Sequence, residues 1–268
     1  MATGDVAAEL VRYGCELERA GAAQAGATFS ENVAADALLE RSPNAFLIGL
    51  LFTQGIPAER AWAGPYLLGE RLGTLDLELL SANPTAVREA FQQRPMLHRF
   101  KETIPRWVTS AAARLLNEYQ GDASRVWAAG SHVIDVTERL SSFEGIGRKK
   151  AVMGVEILMR HFDIDLAGRE YGQVAYDVQV RRVFLRSGLV ARDDREEIEA
   201  AAAAACPQAP GTLDLAAWLI GRQTCRPRHP LCDICRLGDV CPRLVERNVE
   251  GVAGYSAERK SRPERNLG

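Results

Sequence analysis

The sequence contains nothing long enough to cross a membrane. Its longest apolar run, Ala45 to Phe52, stops far short of the ~20 residues a bilayer requires, and no basic-then-apolar leader opens the chain. Strand-like alternation of apolar and polar residues is scarce. No repeat or low-complexity core occurs; Ala200 to Ala205 is a plain helix-forming run. Overall positive charge is missing too, the formal net charge being −2. These absences argue against membrane-embedded, β-rich and repeat architectures, and a cytoplasmic protein is expected.

What is present is a chain of 268 residues, 47% hydrophobic and 25% charged, enough for one large core or two modest ones. Ala, Leu, Glu and Arg recur at helical spacing, as in Val6 to Arg19 and Ala111 to Tyr119. The fold is expected to be all-α. Ser42-Pro43 offers a capping hydroxyl and a first-turn proline ahead of the apolar FLIGLLF, so a largely buried helix should begin there. Gly73-Thr74, Asn83-Pro84, Arg94-Pro95, Gly121-Asp122 and Gly130-Ser131 read as turns between further helices. The polar segment 251–268 reads as a flexible tail.

The whole-chain charge hides an uneven distribution. Residues 1–95 carry 7 Lys+Arg against 12 Asp+Glu and residues 151–220 carry 7 against 11, whereas 96–150 carry 9 against 6 and 221–268 carry 10 against 6. If the fold brings the two basic segments to one face, a mildly acidic protein still offers a positive stripe to a polyanion.

Each basic segment holds a motif. In CRPRHPLCDICRLGDVC, Cys225, Cys232, Cys235 and Cys241 follow a 6-2-5 spacing. Four thiols so close in a reducing compartment point to a metal centre rather than disulfides. Zinc ribbons usually present two tight Cys-x2-Cys pairs, and only one is present here. The unequal gaps suit a four-cysteine iron-sulfur cluster, with zinc as the alternative. Cys15 and Cys206 lack such spacing and read as incidental thiols.

The other motif is FEGIGRKKA, Phe143 to Ala151. Its two glycines, Gly145 and Gly147, allow backbone angles closed to other residues, so that N–H groups at the next helix start can face a phosphate. The apolar stripe of that helix, Ala151, Val152, Val155, Leu158 and Met159, leaves both Lys149 and Lys150 outside it, and periodicity does not choose between them. Farther on, Asp177 precedes a helical stretch ending near Gly188 and reads as an N-cap carboxylate.

The cysteine spacing, the lead-in AAWLIGRQTC, GIGRKKA, VAYDVQVRRV and SPNAFLIGLLFTQ occur in an order that resembles the endonuclease III-like branch of the helix-hairpin-helix DNA glycosylases, over roughly residues 42–242. The resemblance implies two helical domains: a six-helix barrel with the helix-hairpin-helix motif over 36–165, and an iron-sulfur domain made of 1–35 and 166–250. It implies a [4Fe-4S] cluster on the four cysteines and, as partner, double-stranded DNA carrying damaged bases or abasic sites, bound by a nucleoid-associated monomer.

By the same resemblance Lys149 matches the Schiff-base nucleophile and Asp177 the carboxylate that faces it. Neighbouring Arg148 and Lys150 would favour the neutral amine that attack requires. Gln54 matches the residue that enters the gap left by a flipped nucleotide. Gly145, Gly147, Arg148 and Lys150 at the hairpin, and Arg226, Arg228 and Arg236 in the cysteine loop, are the expected DNA contacts. The implied activity is base excision with associated AP lyase chemistry, oxidised pyrimidines being the leading substrate. A purine-directed or monofunctional glycosylase and a DNA-binding paralogue without excision are the alternatives.

Several positions depart from the family pattern. Gly55-Ile56-Pro57 follows Gln54 in place of a polar continuation, and Phe143-Glu144 replaces Leu-Pro ahead of the hairpin. Gln179 stands where endonuclease III has a histidine, and HRFKETIPRW looks like an insertion before the hairpin.

Overall fold

The computed structural model describes residues 3–24, 29–247 and 249. Every regular element among them is helical; one isolated bridge, His132 to Ala167, is the sole β-type pairing. The tail expected over 251–268 lies outside the described residues.

The chain runs through α1 (Thr3–Gln24), α2 (Val33–Arg41), α3 (Pro43–Phe52), α4 (Ala58–Trp62), α5 (Gly64–Leu72), α6 (Leu77–Ala82) and α7 (Pro84–Gln92). It continues with α8 (Thr103–Tyr119), α9 (Val133–Ser141), α10 (Arg148–Arg160), α11 (Val178–Arg186), α12 (Arg195–Ala205) and α13 (Thr212–Gln223). Ser42 caps α3 as its sequence predicts, its hydroxyl accepting from the Ala45 N–H while Pro43 occupies the first turn. Every residue of α3 from Ala45 to Phe52 is buried, which explains why its apolar residues show no preferred face.

The buried side chains form two clusters. The larger draws on α2 through α10 and closes at Leu166, with α3 at its centre. The smaller joins Val6 and Leu10 of α1 to Val180, Val183 and Phe184 of α11, Ile198 of α12, Leu213 and Ile220 of α13, and Leu237. The hairpin helix α10 meets both halves, since it packs on α9 and also touches α1 and α13.

Candidate active site and DNA-binding face

The turn between α9 and α10 owes its shape to one of its two glycines. Gly145 has φ +89°, and a Cβ there would lie 2.3 Å from the Trp107 ring, so backbone and packing both require glycine. Gly147 differs from expectation: its φ is −80°, an ordinary value, and a Cβ would meet nothing within 4 Å. What it supplies is open space at the N-terminus of α10, where no side chain caps the helix. Phe143 anchors the turn from below, buried against Tyr119 and beneath the Arg114 guanidinium. Glu144, which departs from the family pattern, is ion-paired with Arg106 at 2.8 Å.

The structure separates the two lysines. Lys149 is part-exposed, and its Nζ donates to Asp177 Oδ2 at 3.0 Å. Lys150 is only 4% exposed. Its amine donates to the Leu51 carbonyl at 3.0 Å and lies 5.2 Å from the centre of the Trp107 ring. Lys150 is therefore neither outside the apolar face nor available to a DNA phosphate. The end of α3 and Trp107 close over that side of the helix start, two contacts that helical periodicity within α10 cannot reveal. Burial, with the Lys149 cation alongside, brings the Lys150 amine down to about 7.

Asp177 caps α11, as its position predicts: Oδ1 accepts from the Gln179 N–H at 2.9 Å while Oδ2 receives Lys149. One carboxylate thus holds a helix N-terminus and a lysine together across 28 residues of chain. Behind it lies Asp214, an acid the sequence did not flag. It is buried and accepts from the Ala175 N–H at 2.7 Å, two residues before Asp177. Burial pushes its carboxyl up to about 6, against the Ala175 N–H and the cations of Arg160 and Lys149. Burial also raises the neighbouring Glu156 carboxyl, to about 8, with Asp214 adding to the effect.

Helix α11, which Asp177 caps, is bonded to the cysteine loop through two of its arginines. Arg182 donates to the Cys225 carbonyl at 2.6 Å, to the Gly221 carbonyl at 2.7 Å and to the Gln179 amide oxygen. One turn later Arg186 donates to the carbonyls of Arg226, Pro227 and Arg247 at 2.8, 3.1 and 3.2 Å. Both arginines are buried. Sequence reasoning passed over them because their partners are main-chain carbonyls 39 to 61 residues away.

Cys225, Cys232, Cys235 and Cys241 line a single pocket with Val183, Ile220 and Leu237. Among the described residues its wall carries Arg186 and Arg243 and no carboxylate, a setting that suits an anionic, all-thiolate cluster. The Arg243 N–H donates to Cys241 Sγ at 3.4 Å. Burial raises the thiols of Cys225 and Cys241, so metal binding would release their protons. Among the described residues, no three His, Cys, Asp or Glu side chains converge on a position for a single metal ion.

Of the remaining expected contacts, Gln54 is exposed in the turn after α3, and Arg226 and Arg228 are exposed in the cysteine loop. Arg148 pairs with Glu199 at 3.1 Å. Arg236 is held by Glu9 and Glu16 of α1 at 2.8 and 2.6 Å, so either arginine would exchange a protein partner for a phosphate.

This architecture is the helix-hairpin-helix DNA glycosylase fold. A trapped covalent endonuclease III–DNA intermediate matches with TM-score 0.58 at 20% identity, covering 77% of this chain and 85% of its own. A non-covalent endonuclease III–DNA complex matches with TM-score 0.55 at 19% identity over 80% and 94%. A thermostable thymine-DNA glycosylase matches with TM-score 0.61 at 13% identity over 92% of this chain and 100% of that one. No protein-family model matches the sequence, and neither does any curated protein.

Proposed function

We propose that this chain is a base-excision-repair DNA glycosylase with AP lyase activity, in which Lys149 is the nucleophile and Asp177 its partner. The observation that carries this reading is the 3.0 Å contact between a part-exposed lysine at the hairpin and the N-cap carboxylate of α11. DNA would lie between the barrel, residues 36–165, and the half formed by 1–35 and 166–250, with the damaged nucleotide turned out of the duplex. Lys149 Nζ, neutral at the moment of attack, would form a bond to C1′ as the C1′–N bond to the base breaks. The departing base carries the electron pair and takes up a proton. Opening of the sugar gives the Schiff base, and loss of a C2′ proton expels the 3′ phosphate by β-elimination. Asp177 would stabilise the cationic sugar and accept or relay protons.

The fold shared with a trapped covalent endonuclease III–DNA intermediate supports a reaction that passes through a covalent protein–DNA bond. The thymine-DNA glycosylase of the same fold keeps the choice of base open, and oxidised pyrimidine is the substrate we propose first.

Cys225, Cys232, Cys235 and Cys241 would hold a [4Fe-4S] cluster, whose contribution when bound is to fix the loop carrying Arg226 and Arg228. Gln54 would enter the gap left by the flipped nucleotide, while Gly147 and Arg148 meet the backbone phosphate.

Borohydride reduction in the presence of an abasic-site duplex tests the reaction. Wild type should give a covalent adduct that Lys149→Ala abolishes; no adduct from wild type would sink the lyase assignment. An absorption band at roughly 400 nm would identify the cluster and distinguish it from zinc.

A further inference from the structure

The last turn of α3 leads into the exposed Gln54, and its carbonyls are taken by groups from three parts of the chain. The Leu50 carbonyl accepts locally from Thr53. The Leu51 carbonyl accepts from Lys150 Nζ at 3.0 Å, and the Phe52 carbonyl accepts from His98 Nε2 at 3.1 Å. His98 Nδ1 is occupied as an acceptor from the Phe100 N–H at 3.0 Å, which leaves Nε2 as the donor. Phe100 in turn covers Gly55, at 3.2 Å from where a Cβ would be.

The Lys150 contact extends back to the hairpin. Its amine lies over Trp107, and the same ring fills the space that a side chain at position 145 would need. An unbroken series of contacts therefore joins Gly145, Trp107, Lys150 and the Leu51 carbonyl, three residues before Gln54.

We infer that Lys150 is a positioning residue that couples the hairpin to the Gln54 turn, setting the phosphate grip in register with the side chain that enters the duplex. This rests on the roles proposed above for the hairpin and Gln54. Lys150 does not serve as the nucleophile, because its amine is buried between a carbonyl and an indole. Either protonation state of the amine retains an N–H for Leu51, so the tether persists on both sides of pH 7.

The tether is tested first in the free, full-length protein. Lys150→Met should speed amide exchange in the segment 52–55 by about tenfold or more while leaving α13 unchanged. Lys150→Arg, which restores a donor, should recover most of the protection and covers the case in which the methionine variant folds poorly. Unchanged exchange in the segment would overturn the inference.

The second test uses single-turnover borohydride trapping on an abasic duplex. Lys150→Met should lower the trapping rate at saturating enzyme about tenfold with a Kd within about threefold of wild type, and Gln54→Ala/Lys150→Met should be no slower than Gln54→Ala alone. Additive losses would show that Lys150 does not act through the Gln54 turn. Trapping by Lys149→Ala but none by Lys150→Met would make Lys150 the nucleophile and overturn the inference. If wild type fails to trap, the lyase reading fails, while the exchange measurement still decides the tether.

Discussion

Arg182 donates to the Cys225 carbonyl at 2.6 Å from a position five residues beyond Asp177 on the helix that Asp177 caps. The carboxylate facing Lys149 and the first cysteine of the loop are thereby fixed to one rigid element. Replacing Arg182 with leucine would strand the Cys225 and Gly221 carbonyls in a buried setting, at a cost of about 3 kcal/mol. Thermal melting should show a drop of roughly 6–12 °C, and, if the four cysteines hold the proposed cluster, iron per protein should fall with it. A variant with wild-type melting and iron content would contradict this role.

Asp177 combines two roles that one substitution separates. Asparagine caps helices about as well as aspartate, so Asp177→Asn should change stability by less than ~0.5 kcal/mol. It removes the negative charge that faces Lys149, and the base excision proposed for this site should slow by about a hundredfold or more. Denaturation midpoints and excision rates measured on the same preparation check the split; parallel losses would reduce Asp177 to a structural cap.

The two hairpin glycines should respond differently to alanine. Gly145→Ala meets both a left-handed backbone and the Trp107 ring, and should destabilise the protein by at least ~2 kcal/mol. Gly147→Ala meets neither and should stay within ~0.5 kcal/mol of wild type. If a phosphate approaches the open space at Gly147, the same alanine should weaken duplex binding about tenfold. Fluorescence titration against an abasic duplex reads this directly, and unchanged affinity would move the phosphate elsewhere.

Buried ionisable groups set opposite pH limbs for stability. Glu156, held at about 8 in the folded protein, keeps a proton that the unfolded chain loses near ~4.5, so stability falls as pH rises between those values. Asp214, at about 6, acts in the same direction over a lower window. Lys150, at about 7 against an ordinary 10.5, does the reverse: the unfolded chain holds the extra proton, and stability recovers as pH rises from about 7 to 10.5. Urea denaturation should therefore show a minimum near pH 7–8. Glu156→Gln should flatten the acid limb, each group contributing at most ~1.4 kcal/mol per pH unit; an unchanged limb would assign it to other groups.

Local chemistry was legible wherever it was written in consecutive residues. Ser42 and Asp177 cap the helices their sequences announce, and the hairpin forms a turn into α10. The status of Lys150 was not legible, because its neighbours Leu51 and Trp107 come from α3 and from the start of α8. The segment HRFKETIPRW read as an insertion, yet His98 and Trp107 sit against the carbonyl and the glycine that shape the two turns. Arg182 and Arg186 looked like ordinary helix arginines, since a side chain bonded to distant carbonyls leaves no mark in spacing or composition. Gly147 misled in the opposite sense, its glycine reflecting free space rather than backbone strain.

The partners of α1 carry a consequence for synthesis of the chain. Val6 and Leu10 pack in the same cluster as Leu213, Ile220 and Leu237, while Glu9 and Glu16 hold Arg236. As the chain is made, α1 must therefore wait for the residues of α13 and the cysteine loop before it can bury its apolar face. The helices from α2 to α10 contain their own core and can collapse in the meantime. Assembly of the cysteine-bearing half becomes the late event, and during that interval the apolar face of α1 stays open to proteases and to mispairing with other nascent chains.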